Sequence, residues 1–285
     1  MKPTPLFKIR CSQIGKIMGG AFGKPTQKQL DRLNELQERA NGNGKPLTDN
    51  MKIELAELIE KRDAKPQLQD GAKTYLQTWM KERLYNRTKE FSNQYTAKGI
   101  LCEPAAIQFV SEMMGYGLIE KNTERKENEW LTGECDLNLF GIVEDIKNSW
   151  DVFTFPLFAT ELPEKDYYYQ LQGYMWLYGK HNAAVNYCLI DAPEEIIDQV
   201  ARSVSYQAGN TEVDFDLYEE VRAKMTFSDI PNELKLKRFE FDRNETVIQA
   251  IKERVELCRI YVAEQWEQIH STSRVLSASK LLENW

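Results

Sequence analysis

A short stretch of alternating residues near the middle of the chain constrains its fold most. Residues 130–135 and 141–146 are mixed apolar runs, and a polar, asparagine-containing turn at residues 137–139 separates them. Two such runs around a turn predict a β-hairpin. This hairpin is rich in charged side chains, and strand geometry decides which of them can meet.

Three charged residues of this hairpin are expected to converge. Side chains alternate between the two faces of a strand, so Asp145 and Lys147 point the same way. Asp136 joins them if it approaches from the neighbouring strand. The side chains expected on the opposite face are those of Ile142, Glu144 and Ile146. Two carboxylates and one lysine are then free to face a cleft.

These residue types fit metal-assisted hydrolysis of a phosphodiester. Mg²⁺ prefers oxygen ligands and keeps several waters, so Asp136, Asp145 and the backbone carbonyl of Ile146 are expected to hold it beside a phosphate. The metal lowers the pKa of a bound water, and Lys147 is expected to orient that water as a compact charge. The alternative is an exposed charged hairpin without a catalytic role, because such spacings also arise by chance.

A further carboxylate precedes the hairpin on a predicted helix. Glu103 is in line with Ile107 and Val110 at helical spacing, so it lies on or beside the apolar face. A buried acid needs a partner or a metal, which makes Glu103 a candidate metal ligand. The alternative is that Pro104 marks the start of the helix and that Glu103 is a first-turn acid.

Residues 166–179, downstream of the hairpin, are also predicted to form a helix. Asp166 is its expected N-cap and Gly179 its expected C-terminal stop. Gln170 and Tyr174 are four residues apart and therefore share one face. The alternative is an aromatic core helix in which these two side chains make ordinary hydrogen bonds.

The order of these motifs along the chain resembles that of the PD-(D/E)xK nuclease superfamily. Within it, the chain is most similar to the lambda-exonuclease and YqaJ-type recombination nucleases of phages, and the resemblance is best between residues 96 and 190. The motifs in chain order are GxxxE at 99–103, Asp136, the DIK triplet at 145–147 and QxxxY at 170–174. The resemblance implies an α/β fold with a restriction-endonuclease-like core, a mixed central β-sheet flanked by helices.

The resemblance also implies a role for each motif residue. The expected catalytic residues are Glu103, Asp136, Asp145, Lys147 and Gln170. The expected ligands of Mg²⁺, or alternatively Mn²⁺, are Glu103, Asp136, Asp145 and the carbonyl of Ile146. The residues expected to contact DNA are Gln170, Tyr174, Arg10 and Ser12. Arg10 and Ser12 resemble a pair that grips a phosphate of DNA, such as the terminal 5′-phosphate.

By the same resemblance, the chain is expected to be a phage or prophage exonuclease that digests linear duplex DNA from a 5′ end. Its expected partners are that DNA, a single-strand annealing recombinase and further copies of itself in a trimer. Two alternatives stay open: an endonuclease of the restriction or repair type, and a non-catalytic DNA-binding protein on a nuclease fold. The intact Lys147 argues against the last, because a retired site is free to lose it.

Composition agrees with a compact enzyme. The chain has 285 residues, 42% of them hydrophobic, and its net charge of −7 leaves DNA binding to local basic patches. The five cysteines are scattered, so an iron–sulfur cluster is not expected. The chain has no apolar N-terminal signal segment and no apolar run of about 18 residues, which predicts a cytoplasmic protein that does not cross a membrane.

The sequence predicts one nuclease domain with a helical insertion near the N-terminus. The insertion is expected to be a helical hairpin, because charged helical runs at 27–41 and 51–64 flank a glycine-containing turn. The predicted boundaries are 1–270 for the domain, about 24–66 for the insertion, about 96–190 for the catalytic core and 271–285 for a loose tail.

Overall fold

Both helices and short strands are present in the computed structural model, which describes residues 3–19, 25–63, 67–89 and 93–271. The strands are β1 (Ile9–Arg10), β2 (Lys126–Glu127), β3 (Leu131–Gly133), β4 (Leu137–Leu139), β5 (Ile142–Asn148), β6 (Asn182–Cys188) and β7 (Leu236–Asp242). The helices are α1 (Ile14–Met18), α2 (Gln27–Ala40), α3 (Asp49–Asp63), α4 (Asp70–Tyr85), α5 (Gln94–Met114), α6 (Lys165–Tyr178), α7 (Glu194–Gln207), α8 (Phe215–Met225) and α9 (Glu245–Ser271). Two 3₁₀ turns lie at Cys11–Gln13 and Asn232–Leu234.

Contacts divide the chain into two compact units. The helical insertion predicted at residues 24–66 belongs to the first unit, and the catalytic core predicted at 96–190 belongs to the second. The predicted tail at 271–285 lies outside the described residues after Ser271. The first unit comprises Met1–Phe7, Lys16–Arg87 and Ile251–Trp285, and the second comprises Lys8–Gly15 and Thr88–Ala250.

The predicted helical hairpin is present in the first unit as α2 and α3. Leu33 and Leu36 of α2 pack with Leu58 of α3 in a buried cluster. Arg32 of α2 also donates two hydrogen bonds, of 3.0 and 2.9 Å, to the carboxylate of Glu54 on α3. The hairpin is therefore joined by both apolar contacts and a bidentate ion pair.

A mixed four-stranded sheet forms the centre of the second unit, in the strand order β4-β5-β6-β7. The pairs β4–β5 and β6–β7 are antiparallel, and β5 runs parallel to β6. A smaller mixed sheet has the order β1-β3-β2. Helices pack on the central sheet, so the expected restriction-endonuclease-like α/β class is confirmed.

The predicted hairpin has a different first strand in the structure. Residues 137–139, which were expected to be the turn, form β4, and they pair with β5 so that Leu139 lies opposite Ile142. The turn is the dipeptide Phe140-Gly141, and both residues have positive φ, +47° and +88°. This is the backbone of a two-residue hairpin turn, and glycine adopts it readily. The prediction overlooked Gly141 as the turn signal.

The run at residues 130–135 belongs to the smaller sheet instead, where β3 pairs with β1 and β2. Gly133 explains why this strand approaches other elements so closely. A Cβ atom at Gly133 would lie 2.7 Å from Cys11 Sγ and 2.9 Å from the ring of Tyr174. The absence of a side chain therefore lets β3 pack against the 3₁₀ turn and α6.

Two helices flank the central sheet on opposite faces. Val110 of α5 packs with Ile146 of β5 and Leu137 of β4, which places α5 on the even-numbered face of β5. α6 covers the other face, where it meets Asp145. α5 begins after Asn93, whose side chain accepts from the Thr96 amide, and Pro104 lies inside the helix. The alternative in which Pro104 begins the helix is therefore wrong.

The length and the hydropathy of the helices decide whether any of them could cross a membrane. Within the described ranges, no helix combines the length and the hydropathy needed to cross a membrane.

Candidate active site

A cavity of about 800 Å³ in the second unit brings the predicted motifs together. Its walls come from α5, the end of β5 with the segment after it, β6, and α6. The predicted residues that line it are Glu103, Asp136, Asp145, Ile146, Lys147, Gln170 and Tyr174. Motifs spread over more than seventy residues of sequence thus meet in one site.

The two aspartates approach each other because of the strand register. Leu137 lies opposite Glu144 in the β4–β5 ladder, so one further step places Asp136 opposite Asp145 on the same face. The carboxylate of Asp136 accepts a hydrogen bond of 2.7 Å from the amide of Ile146. Burial and the neighbouring charge of Asp145 raise the pKa of Asp136 to about 7. Ionising both aspartates at once is therefore unfavourable in the metal-free site.

Lys147 lies on the same face as Asp145, as the strand alternation predicts. Its Nζ atom is 2.7 Å from Asp145 Oδ2, and it lies 4.5 Å from the centre of the Tyr167 ring. One quarter of the lysine side chain is exposed to the cavity. Burial acts to lower the pKa of Lys147, but the charge of Asp145, the hydrogen bond to it and the nearby Tyr167 and Asp136 together raise this pKa. Lys147 is thus held as a cation beside the carboxylates.

Gln170 and Tyr174 fix the other oxygen of Asp145. The Nε2 atom of Gln170 donates to Asp145 Oδ1 at 2.7 Å and is 3.1 Å from the hydroxyl of Tyr174. Both side chains are only 5% exposed. Their helical spacing of four residues therefore serves to position Asp145, and a direct contact of either residue with DNA stays a prediction.

Glu103 faces the cavity but has a partner that sequence patterns did not indicate. Its carboxylate forms an ion pair with Lys121, which lies in the loop between α5 and β2. Desolvation acts to lower the pKa of Lys121, but the hydrogen bond to Glu103 and the charges of the nearby carboxylates together raise it. Lys121 lies in no periodic segment, and its eighteen-residue separation from Glu103 gave no signal.

The donor set of this site fits a hard divalent cation at the aspartate pair. Asp136 and Asp145 supply carboxylate oxygens, and a cation there would offset the burial and the mutual repulsion that disfavour ionising both. The amide of Ile146 donates to Asp136. The N–H and C=O groups of one strand residue point to the same side of the strand, so the Ile146 carbonyl also points towards the Asp136 side. Among the described residues, no group of three or more His, Cys, Asp or Glu side chains is arranged to hold a metal ion. Glu103 is therefore not grouped with Asp136 and Asp145 as a third carboxylate ligand.

Comparison with solved structures identifies relatives of this fold. A phage-related exonuclease from Haemophilus somnus 129PT matches with a TM-score of 0.65 and 26% sequence identity, over 93% of this chain and 97% of that chain. The chain shares its fold with phage exonucleases. The alkaline exonuclease LHK-Exo from Laribacter hongkongensis matches with a TM-score of 0.54 and 12% identity, over 93% of this chain and 92% of that one. No family model and no curated protein matches the chain.

These neighbours confirm the resemblance to phage exonucleases that the motif order predicted. The LHK-Exo structure in complex with dAMP matches equally well, with a TM-score of 0.54 and 13% identity. At this identity LHK-Exo supports the fold alone, whereas the Haemophilus protein also supports a nuclease. Membership of the PD-(D/E)xK superfamily stays a prediction.

Behind the candidate site, a buried network holds β5 in place. Glu144 is fully buried on the face opposite Asp145 and accepts two hydrogen bonds from Arg238 of β7, at 2.8 and 3.0 Å. Tyr116 and Asn186 donate to the same carboxylate at 2.7 and 2.6 Å. A buried charge with these four hydrogen bonds is well satisfied, and it ties β5 to its neighbours.

Lys98 ties α5 to the end of β5. It is only 1% exposed, and its ammonium donates to the carbonyls of Ser149 and Trp150 at 2.9 and 2.7 Å. Burial lowers the pKa of Lys98. Sequence analysis missed this role, because an isolated lysine at the start of a helix has the appearance of a solvated residue.

Arg10 and Ser12 lie outside the walls of the cavity. Arg10 is exposed on β1, and Ser12 is exposed in the following 3₁₀ turn. This turn packs on α6, because a Cβ at Gly173 would lie 3.0 Å from Cys11 Sγ and 2.5 Å from Ile14. The surface on which Arg10 and Ser12 are predicted to contact a DNA phosphate therefore lies next to α6, the helix that carries Gln170. It stays a prediction.

The cysteines have no part in the site that the structure describes. Cys102 and Cys135, whose sequence positions are near the motifs, are buried free thiols, as are the other three, Cys11, Cys188 and Cys258. Burial raises the pKa of Cys135 to about 12. These thiols are therefore protonated and poor nucleophiles at neutral pH.

Proposed function

We propose that the chain is a Mg²⁺-dependent deoxyribonuclease that hydrolyses DNA phosphodiester bonds. The observation that carries the proposal is the convergence of Asp136, Asp145, Lys147 and Gln170 in one cavity of an exonuclease fold. Paired carboxylates with a lysine on the same face supply what metal-assisted phosphoryl transfer needs. A non-catalytic DNA-binding protein has no use for this arrangement.

Each residue has a distinct role in the proposed reaction. When bound at Asp136 and Asp145, Mg²⁺ lowers the pKa of a water and neutralises charge on the phosphate. Lys147 orients the attacking water and stabilises the charge that develops on the phosphate. Gln170 holds Asp145 in the orientation that presents its carboxylate to the cavity. Asp136 releases its proton when a cation binds, because its pKa is about 7 without one.

Glu103 and Ile146 are also proposed to take part in binding the cation. Glu103 is proposed to hold a metal-bound water or a second cation once Lys121 is displaced from it. The carbonyl of Ile146 is proposed as a further oxygen ligand. Mn²⁺ is proposed to replace Mg²⁺, since both accept carboxylate and carbonyl ligands.

The exonuclease neighbours support an action on ends of linear duplex DNA. We further propose digestion from a 5′ end in phage recombination, with a single-strand annealing recombinase as the recipient of the remaining strand. Arg10 and Ser12 are proposed to bind the 5′-phosphate. Assembly of several copies, as in a trimer, is proposed to keep such an enzyme on its substrate.

Substrate form tests this proposal. Purified protein is incubated with a linear duplex labelled at its 5′ or its 3′ ends and with a closed circle, in Mg²⁺ or in chelator. The proposal predicts Mg²⁺-dependent release of mononucleotides from the 5′ label and an intact circle. Early loss of the 3′ label would reverse the polarity, and cutting of the circle would show an endonuclease.

A further inference from the structure

Two hydroxyl groups on the cavity wall have no hydrogen-bond partner among the described residues. They are the hydroxyls of Tyr187 on β6 and of Ser149 directly after β5. The two residues are only 8% and 6% exposed, and both line the cavity. Buried hydroxyls are nearly always bonded, and leaving one unpaired is costly. Two such groups in one wall therefore indicate a partner that is not part of the protein.

The strand register places both hydroxyls beside the catalytic lysine. Tyr187 lies opposite Lys147 in the parallel β5–β6 ladder, so the two side chains share a face. Ser149 follows Lys147 by two residues, and its amide donates to the Cys188 carbonyl at 2.9 Å, which extends the ladder. Alternation therefore places Ser149 on the same face. The three polar groups form one edge of the site.

Ring packing holds the Tyr187 side chain, and hydrogen bonds hold the backbone of Ser149. The Tyr187 ring contacts Tyr167 and Phe239, with centroid distances of 6.2 and 6.0 Å. The backbone of Ser149 is fixed by Lys98, which donates to its carbonyl at 2.9 Å. The hydroxyls are thus pre-positioned, and binding a ligand there costs little conformational entropy.

Two lysine ammonium groups lie next to the hydroxyls, in a cavity that Glu103, Asp136, Asp145 and Glu164 also line. Lys147 stands on the same face, and the buried ammonium of Lys98 lies behind Ser149. Hydroxyl donors next to cations are the groups that contact phosphate oxygens in nucleic-acid complexes. We propose that the hydroxyls of Tyr187 and Ser149 donate hydrogen bonds to non-bridging phosphate oxygens of the DNA strand held next to Lys147. The inference rests on the proposed nuclease function and adds a substrate-binding pair to it.

The variants Tyr187→Phe and Ser149→Ala remove only the two hydroxyls. Affinity for a 5′-phosphorylated duplex is measured by fluorescence anisotropy in chelator, and kcat and KM are measured in Mg²⁺. Each variant is expected to weaken binding and to raise KM by about 10-fold, the value of a hydrogen bond to a charged group. The dependence of affinity on salt should stay that of wild type, since a neutral hydroxyl releases no counterion.

Thermal melting separates this role from a structural one. Removing an unpaired buried hydroxyl should leave the Tm unchanged or raise it. The matched controls are Tyr178→Phe and Ser205→Ala, because the Tyr178 and Ser205 hydroxyls donate to the carbonyls of Glu124 and Glu212. These controls should lower the Tm and keep the DNA affinity of wild type.

The outcomes distinguish this inference from the proposed function. If the wild type is inert in Mg²⁺ but both variants bind DNA more weakly than the wild type, the proposed nuclease function is wrong and the proposed phosphate site stands. Wild-type affinity and KM in both variants, or a fall in Tm like that of the controls, would overturn the inference. If Tyr187→Phe fails to fold, the hydroxyl has a structural role, and Ser149→Ala alone decides whether this wall binds phosphate.

Discussion

Replacing Asp136 with asparagine is expected to stabilise the metal-free protein at alkaline pH while it abolishes hydrolysis. The folded protein raises the pKa of this carboxyl from 3.8 to about 7. Below pH 4 both the folded and the unfolded chain are protonated, and the group costs nothing. As the pH rises to about 7, the unfolded chain gains from ionisation that the folded state resists, so stability falls. Above pH 7 the full penalty is present.

The size of this penalty follows from the two pKa values. A rise of about three units corresponds to about 4 kcal/mol. Water at the mouth of the cavity screens the carboxylates and reduces this to about 1–2 kcal/mol. Asparagine removes the charge and keeps an oxygen that can accept from the Ile146 amide. The variant should therefore melt about 2–6 °C higher than wild type at pH 8 in chelator.

Thermal melting from pH 5 to 8.5 in chelator tests this reasoning, with Asp229→Asn as the control at an exposed aspartate. The gap in Tm between Asp136→Asn and wild type should widen with pH, and the control should follow wild type. Added Mg²⁺ should close the gap by stabilising wild type alone. A gap that stays constant with pH, or a variant that melts below wild type at pH 8, would refute the reasoning.

Three further predictions concern the surroundings of the site. Gln170→Ala removes the hydrogen bond to Asp145 and should lower kcat about 10- to 100-fold; an unchanged kcat in steady-state kinetics would contradict this. Arg238→Met strands the buried charge of Glu144 and should cost about 3–5 kcal/mol in urea unfolding; an unchanged urea midpoint would contradict this. Gly141→Ala strains a φ of +88° and should cost about 1 kcal/mol, and equal urea midpoints would oppose it.

Local periodicity was enough to predict the catalytic strand and the helix behind it. Alternation placed Asp145 and Lys147 on one face, and they are 2.7 Å apart. A spacing of four residues placed Gln170 and Tyr174 on one helix face, and they share a hydrogen bond. These relations depend only on the geometry of one strand or one helix, which the sequence pattern carries directly.

Strand pairing and ion pairing were beyond such reasoning. The hairpin around Phe140-Gly141 was missed because the polar Asn138 looked like the turn, although it lies in a strand. Helix α8 was not predicted, although Leu217, Val221 and Met225 recur every four residues along it and pack in a buried cluster. Lys121 and Arg238 meet their carboxylates across 18 and 94 residues of sequence, and only the folded chain defines such contacts.

Hydrolysis of a linear duplex by wild type and Lys147→Ala, each in Mg²⁺ and in chelator, tests the central claim most directly. Lys224→Ala is the control, because that lysine is exposed on α8 and pairs with Glu220 of the same helix. The account predicts Mg²⁺-dependent hydrolysis in wild type and the control, and a loss of about 10³-fold or more in Lys147→Ala with unchanged folding. Hydrolysis that persists in chelator, or in Lys147→Ala at the wild-type rate, would contradict it.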